Sequence, residues 1–215
     1  MQRSIVIALC CVSLVTKVCG ASVWVDGAVP AGAGTSVTGG DSWTWVSSNP
    51  SPYRGTKAHQ STLSSGLHSH SFNWAGAQLT VNAGESLYTY VYLDPANPPS
   101  QIMLAWNTTA GDWEHRAYWG ADQINYGVNG TASRRYMGAL PPAGQWVRLE
   151  VPASAVGLEG ATLQGMDFAL FGGRATFDYT GTSAAGSGEN GGGNGGSTTN
   201  QPPLTNQPPV VIGTN

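Results

Sequence analysis

Between residues 86 and 93 the sequence alternates without a break. Leu87, Thr89, Val91 and Leu93 occupy one set of positions and Tyr88, Tyr90 and Tyr92 the other. A period of two puts these sets on opposite faces of a β-strand, and both faces carry bulk. Shorter runs of the same kind lie at residues 23–25, 42–46, 68–74, 78–81, 102–106, 113–119, 146–151, 167–171 and 175–179, parted by Gly, Pro and Asn. Many short strands at this spacing predict an all-β fold of two packed sheets. The one helical candidate is a single turn at 152–156, stopped by Gly157 and read as a corner between sheets. The Gly-rich stretch 32–40 is not a phosphate loop, because no Gly-Lys-Ser/Thr follows it.

The ends of the chain differ in character from this middle. Arg3 precedes an apolar run at 5–15 that closes on Cys19, Gly20 and Ala21. The run is shorter than the ~20 residues that span a bilayer, so residues 1–20 read as a signal peptide and no membrane insertion is expected. A lipid-modified Cys19 is the weaker reading, since Lys17 and Val18 stand where small residues belong. The sandwich is expected over 21–181. From Gly181 to Asn200 the chain is almost wholly Gly, Ser, Thr, Asn and Ala, and two Asn-Gln-Pro-Pro copies follow. Residues 182–209 therefore read as a flexible linker. Residues 210–215, opening on Val210-Val211-Ile212, read as the start of a further domain.

Removal of the leader has two chemical consequences. It takes away Cys10, Cys11 and Cys19, all the cysteines of the chain, which excludes disulfides, thiolate-bound zinc and a Cys nucleophile from the secreted part. It also leaves seven basic residues against twelve acidic ones, a net of −5, with Lys57 the single remaining lysine. Such a surface lacks the basic footprint that phosphate backbones require, so nucleic acid is not an expected partner.

The run 23–179 resembles jelly-roll modules of the galactose-binding-like class found in bacterial secreted and surface proteins. The residues behind the resemblance are Val23-Trp24-Val25-Asp26, the segment 145–151 around Trp146, and Arg174-Ala175-Thr176-Phe177-Asp178-Tyr179, with the blocks 113–120 and 136–142. The resemblance implies a jelly-roll β-sandwich whose first and last strands lie side by side, and carbohydrate as the ligand class. It also implies a structural calcium near the chain ends, held by Asp26 and Asp178. Two strand-end acids that cap turns or pair with Arg174 are the equal alternative.

Aromatic residues give the residue-level case for sugar. The secreted part holds eight Trp, eight Tyr and four Phe, and the apolar faces and polar edges of Trp and Tyr suit stacking on pyranose rings. Trp24 and Trp146 read as core. Trp113, Glu114, His115, Arg116, Tyr118 and Trp119 form the densest set of sugar-compatible side chains and are the candidate binding segment. If the segment is a strand, Trp113, His115 and Trp119 share one face, Glu114, Arg116 and Tyr118 the other, and only one face can be the site. The Tyr88, Tyr90 and Tyr92 face is the next platform.

Other constellations carry less. His68 and His70 share a strand face at a spacing compatible with zinc, but a third ligand, His59 or an Asp, is not fixed by the sequence. Asp112, Glu114 and Asp122 cluster loosely where a glycosidase would need two carboxylates across a bond. Arg134-Arg135 could clamp an anionic sugar. The sequons at Asn107 and Asn129 matter only in a eukaryotic secretory route. The expectation is a secreted, non-catalytic, carbohydrate-binding module tethered to a partner domain. An adhesion or spacer domain without an exposed aromatic platform and a small glycoside hydrolase are the alternatives.

Overall fold

The structure, a computed structural model, describes residues 21–184. The expected leader, nearly all of the expected linker and the residues after it lie outside the described residues. Every candidate strand of the sequence is present, and all belong to two sheets.

One sheet, sheet A, runs in the order β11 (Trp146–Pro152), β7 (Glu85–Leu93), β13 (Ala175–Ala184), β4 (Ala58–Gln60) and β3 (Thr44–Val46), with β1 (Ser22–Val25) also on β13. The second, sheet B, runs β10 (Arg135–Tyr136), β9 (His115–Gly120), β8 (Gln101–Thr108), β12 (Thr162–Gly173), β5 (Ser64–Asn73) and β2 (Gly34–Thr38), with β6 (Leu79–Thr80) on β12. The short pair of β10 and β9 is parallel and the other pairs are antiparallel. The expected corner is a 3-10 turn, Ala153–Val156, ended by Gly157 at φ 68°.

The alternation in β7 works as its period dictates. Leu87, Val91 and Leu93 enter the core between the sheets, where Ile102, Leu104 and Trp106 of β8 and Met166, Phe168 and Leu170 of β12 meet them. A core of this composition gains about 25 cal/mol for each Å² of apolar surface removed from water, which is how the described sandwich stands without a disulfide.

Two features of β13 correct the expected domain limit. A bulge between Asp178 and Gly181, with Tyr179 at φ 48°, moves the strand from one partner to another. Before it, Thr176 and Phe177 pair with β4; after it, Thr180, Gly181 and Thr182 pair with β1. The first and last strands thus lie side by side. Gly181, Thr182 and Ser183 are buried, so the sandwich runs to Ala184 rather than ending at 181. A composition of Gly, Thr and Ser reads as linker, yet here main-chain pairing holds it. At Gly181 a Cβ would lie 1.9 Å from the Ser22 carbonyl oxygen, so glycine is what lets β1 approach.

Candidate functional site

The segment 113–119 divides as its alternation requires. Ala117 and Trp119 point into the core, and Trp119 keeps only 6% of its surface. His115 also serves the packing: its Nδ1 donates to the Val156 carbonyl at 2.7 Å and ties the 3-10 turn to β9. On the outer side, Tyr118 keeps 3% of its surface because Met103, Ile124 and Ala169 pack with it and Tyr136 lies 5.2 Å away, centroid to centroid. Neither Tyr118 nor Trp119 is the exposed platform expected of them. Aromatics near a sheet edge can be roofed by a long loop, and residues 121–134 provide that roof through Ile124 and Asn129, which accepts from the Tyr118 hydroxyl at 3.1 Å.

Beyond this roof, the same outer face of sheet B is polar and partly exposed along β9, β12, β5 and β2, while Ala105 and Asn107 of β8 lie buried beneath their neighbours. Register places Arg116, Ala105, Asp167, Ser71 and Ser36 in one row across β9, β8, β12, β5 and β2. Directly opposed residues share a face, and the inward neighbours Phe168 and Phe72 are core. Arg116 is held in place by Glu114, donating from Nη1 and Nη2 to its two carboxylate oxygens at 2.9 and 3.1 Å. That fork keeps the Glu114 carboxyl below its ordinary range. The Arg116 guanidinium also lies 5.9 Å from the ring centre of the exposed Tyr126.

Asp167 stands half-buried in the centre of the row. Loss of hydration pushes its carboxyl up to about 7, against the opposing effects of a hydrogen bond from Ser69 and the charge of Arg116. The Ser69 hydroxyl is shared with Thr38 on β2 at 2.9 Å.

Next along the face comes a patch of amides. Gly165 sits between Asn73 and Asn107: a Cβ on it would lie 2.7 Å from Asn73 Oδ1 and 3.1 Å from Asn107 Cβ. With the Asn107 amide turned to satisfy its neighbours, its oxygen accepts from the Trp113 indole at 2.7 Å. Trp113 therefore belongs to this outer face, not with His115 and Trp119.

The far wall is Trp74, 69% exposed and the most exposed large hydrophobic residue among those described. Simple alternation from Phe72 would aim it inward. Its φ of 56° turns it instead, and its Cε3 atom lies 3.3 Å from the place of a Cβ on Gly34, which opposes Asn73 on the outer face. From the edge strand carrying Gly34 to β9 is four strand spacings, about 19 Å. The result is a polar floor of Asp167, Ser71 and Asn73, with Asn107 buried beneath it, between Trp74 at one end and Tyr126 with Arg116 at the other. The sequence offered Glu114, Arg116 and Trp113 but missed Trp74 and Asp167. An acid inside the apolar run Met166-Asp167-Phe168-Ala169-Leu170 was the available signal for the latter.

The other expected sites fare differently. His68, His70 and His59 gather around Asp41 in the core, with His70 Nδ1 at 3.0 Å and His68 Nδ1 at 3.2 Å from Asp41 Oδ2. Hydrogen bonds join Asp41, His70 and His59 in a chain, His68 Nδ1 faces the same carboxyl without one, and among the described residues no group of three or more His, Cys, Asp or Glu side chains is placed to hold a metal ion. Asp26 is close enough to Asp178 for its charge to act on it. The Asp178 oxygens accept from the backbone N–H groups of Arg54 at 3.0 Å and of Tyr179 at 2.9 Å. Burial first, and Asp26 second among the raising effects, put the Asp178 carboxyl at about 6. Two backbone N–H groups thus already occupy part of the carboxylate that the expected calcium would take. Arg134 and Arg135 do not form a clamp. Arg134 lies 3.8 Å from Asp122, and Arg135 donates to the Ala155 carbonyl at 3.2 Å.

No family model and no curated protein matches the sequence. Among solved structures, the chain is similar to one described under carbohydrate-binding modules of the β-sandwich superfamily, at 13% identity and a TM-score of 0.45. The likeness covers 76% of this chain and 62% of that one, so the chain spans less than two thirds of it. It is also similar to a xylan-binding domain of Paenibacillus barcinonensis, at 13% identity, TM-score 0.43, and coverage of 76% and 95%. A glycoside hydrolase domain, Endo-D, of Streptococcus pneumoniae R6 is matched at 11% identity and a TM-score of 0.43, over 71% of this chain and 22% of that one.

Proposed function

We propose that the chain is a non-catalytic carbohydrate-binding module and that the outer face of sheet B takes an internal stretch of a neutral polysaccharide. The observation that carries this reading is the pairing of two exposed aromatic residues, Trp74 and Tyr126, across a floor that presents the Asn73 amide, the Ser71 hydroxyl and the Asp167 carboxyl. Aromatic faces stack on the C–H faces of sugar rings, and the fixed polar groups between them orient hydroxyls. A trough that spans four strand spacings suits a chain passing along it.

Asp167 favours binding over hydrolysis. Glycoside cleavage needs two carboxyl groups across the bond, whereas Glu114, the acid beside Arg116, has both oxygens engaged by the guanidinium. Exposed Trp74 likewise favours sugar binding over a spacer that lacks an aromatic platform. Export by residues 1–20 and tethering to a further domain through 182–209 belong to the same proposal, since a tethered module raises the effective concentration of its partner on a polymer. The test is a glycan array with the full-length chain and its Trp74→Ala variant. Binding that Trp74→Ala weakens supports the reading; an array without binding, or binding indifferent to Trp74, overturns it.

A further inference from the structure

The opposite side of the sandwich carries a cavity. On the outer face of sheet A, Tyr90 is covered by Tyr53, stacked at 3.6 Å between ring centres, and Tyr88 by Arg148, whose guanidinium carbon lies 4.1 Å above the ring. Both cover groups fill the tyrosine face that alternation offered as a platform. Tyr92, with Trp146 edge-on to its ring at 5.8 Å between centres, stays half-buried at the end of the row. It lines a cavity of about 350 Å³ with Asn49, Gln60, Asp94, Arg174 and Thr176.

The cavity walls are fixed. Trp146 donates its indole N–H to the Ser51 carbonyl at 2.9 Å, and Gln60 donates to the Asn49 carbonyl at 3.2 Å and to the Thr176 hydroxyl at 2.9 Å, so the loop after β3 is tied to β11 and β4, and β4 to β13. Arg174 sends both Nε and Nη2 to a single oxygen, Oδ2 of Asp94, at 3.0 and 2.6 Å. Nη1 of Arg174, Oε1 of Gln60 and the Tyr92 hydroxyl have no partner among the described residues. The three residues line one volume, and an unused donor among unused acceptors is what adjacent hydroxyls require.

We propose that this cavity is a second, independent sugar site, which takes a neutral pyranose at a chain end. Its size and walls suit one terminal ring rather than a passing chain. Its charge selects the class of ligand: the one guanidinium is already paired with Asp94, so the cavity is neutral, and an anionic sugar finds no uncompensated cation there. With the sheet B trough on the opposite side, the module would hold two strands of a glycan at once.

The experiment is a titration of the isotope-labelled full-length chain, followed by nuclear magnetic resonance at the Gln60 side-chain amide and Arg174 Nε. The probes are methyl β-glucopyranoside, methyl β-galactopyranoside and glucuronate. At least one neutral pyranoside is expected to shift both signals, glucuronate less so, and the shifts are expected to persist in Trp74→Ala. Ser48→Trp, which fills the mouth of the cavity from an exposed position, should weaken the binding by about tenfold or more, as loss of an anchor pocket does. Arg174→Gln serves if Ser48→Trp does not fold. Absence of shifts at Gln60 and Arg174 with every pyranoside overturns the site. So do shifts that either folded variant leaves unchanged, and tighter binding of glucuronate. Because Trp74→Ala removes only the trough, failure of one site is distinguishable from failure of the other.

Discussion

His70 donates from Nδ1 to Asp41 Oδ2 at 3.0 Å, between the two sheets, with neither side chain exposed to solvent. That bond fixes the tautomer of a chain of groups. With its proton on Nδ1, neutral His70 accepts at Nε2 from His59 Nδ1, 2.9 Å away, which leaves His59 Nε2 as a bare lone pair with no partner. Trp43 closes over both rings at 4.9 and 4.7 Å, and Asp41 Oδ1 accepts from the backbone N–H groups of Ser42 and Thr62 at 2.7 and 2.6 Å. One buried carboxylate thus joins the chain before β3, the turn after β4, and β5. Its own carboxyl is held below the usual carboxylate range by the two histidines and Thr62, which outweigh its burial. Asp41→Ala should therefore cost about 3 kcal/mol or more, because it strands several buried donors. Denaturant melts would measure it, and a loss under about 1 kcal/mol would mean the network is dispensable.

Acidification should act through two opposing groups. Burial lowers the affinity of His59 and His70 for a proton. The unfolded chain protonates its histidines near pH ~6.5, so their contribution is complete above that pH and is lost as pH falls below it. Asp167 and Asp178, raised to about 7 and about 6, behave in the opposite sense. They bind protons in the native state well above the unfolded aspartate value of ~3.9, and so add stability as pH falls through that window. Asp167→Asn removes one of these gains. It should melt higher than the parent at pH 8 and fall more steeply between pH 7 and 5, as read by calorimetry at each pH. Parallel curves for the two proteins would refute the assignment.

Two tryptophans separate stability from recognition. Trp119→Ala empties a core position and should cost about 3–5 kcal/mol of stability. Trp74→Ala, at an exposed position, should stay within about 0.5 kcal/mol of the parent and lose at least about 1 kcal/mol of glycan affinity. Paired melts and affinity electrophoresis would decide. Strong destabilisation by Trp74→Ala would mean that the ring is structural.

Ending the chain after Gly181 should lower the melting temperature relative to ending it after Ala184, since Thr182, Ser183 and Ala184 pair with Leu87, Ser86 and Glu85 of β7. Protease should likewise stop at or beyond Ala184. Equal melting of the two truncations would restore the earlier limit.

Chelator is expected to leave the melting temperature unchanged, because backbone N–H groups already engage the Asp178 carboxylate. A drop on adding EDTA that calcium reverses would return a native-state ligand to the chain ends.

The sequence made the strands legible wherever burial alternates, and β7 is the clearest case. It hid β2, all of whose residues are exposed, because an edge strand without a buried face has no period to read. Arg116 and Glu114 were found because density of polar groups survives without coordinates. Trp74 was not, since its direction depends on a left-handed backbone at one residue. The burial of Tyr118 depends on a loop that contacts it from residues 122–134, a separation that no local pattern encodes.

Ser22 stands opposite Thr182 in the ladder that joins β1 to β13. The two ends of the described sandwich therefore leave it within one strand spacing of each other, about 5 Å. A body whose entrance and exit coincide can be spliced into a surface loop of another protein without prying that loop open. It can equally be re-cut, its old ends fused by a short bridge and new ones opened in an exposed turn. Pulling on its ends would peel β1 from β13 one hydrogen bond at a time, so the first mechanical failure of this domain falls at its own seam.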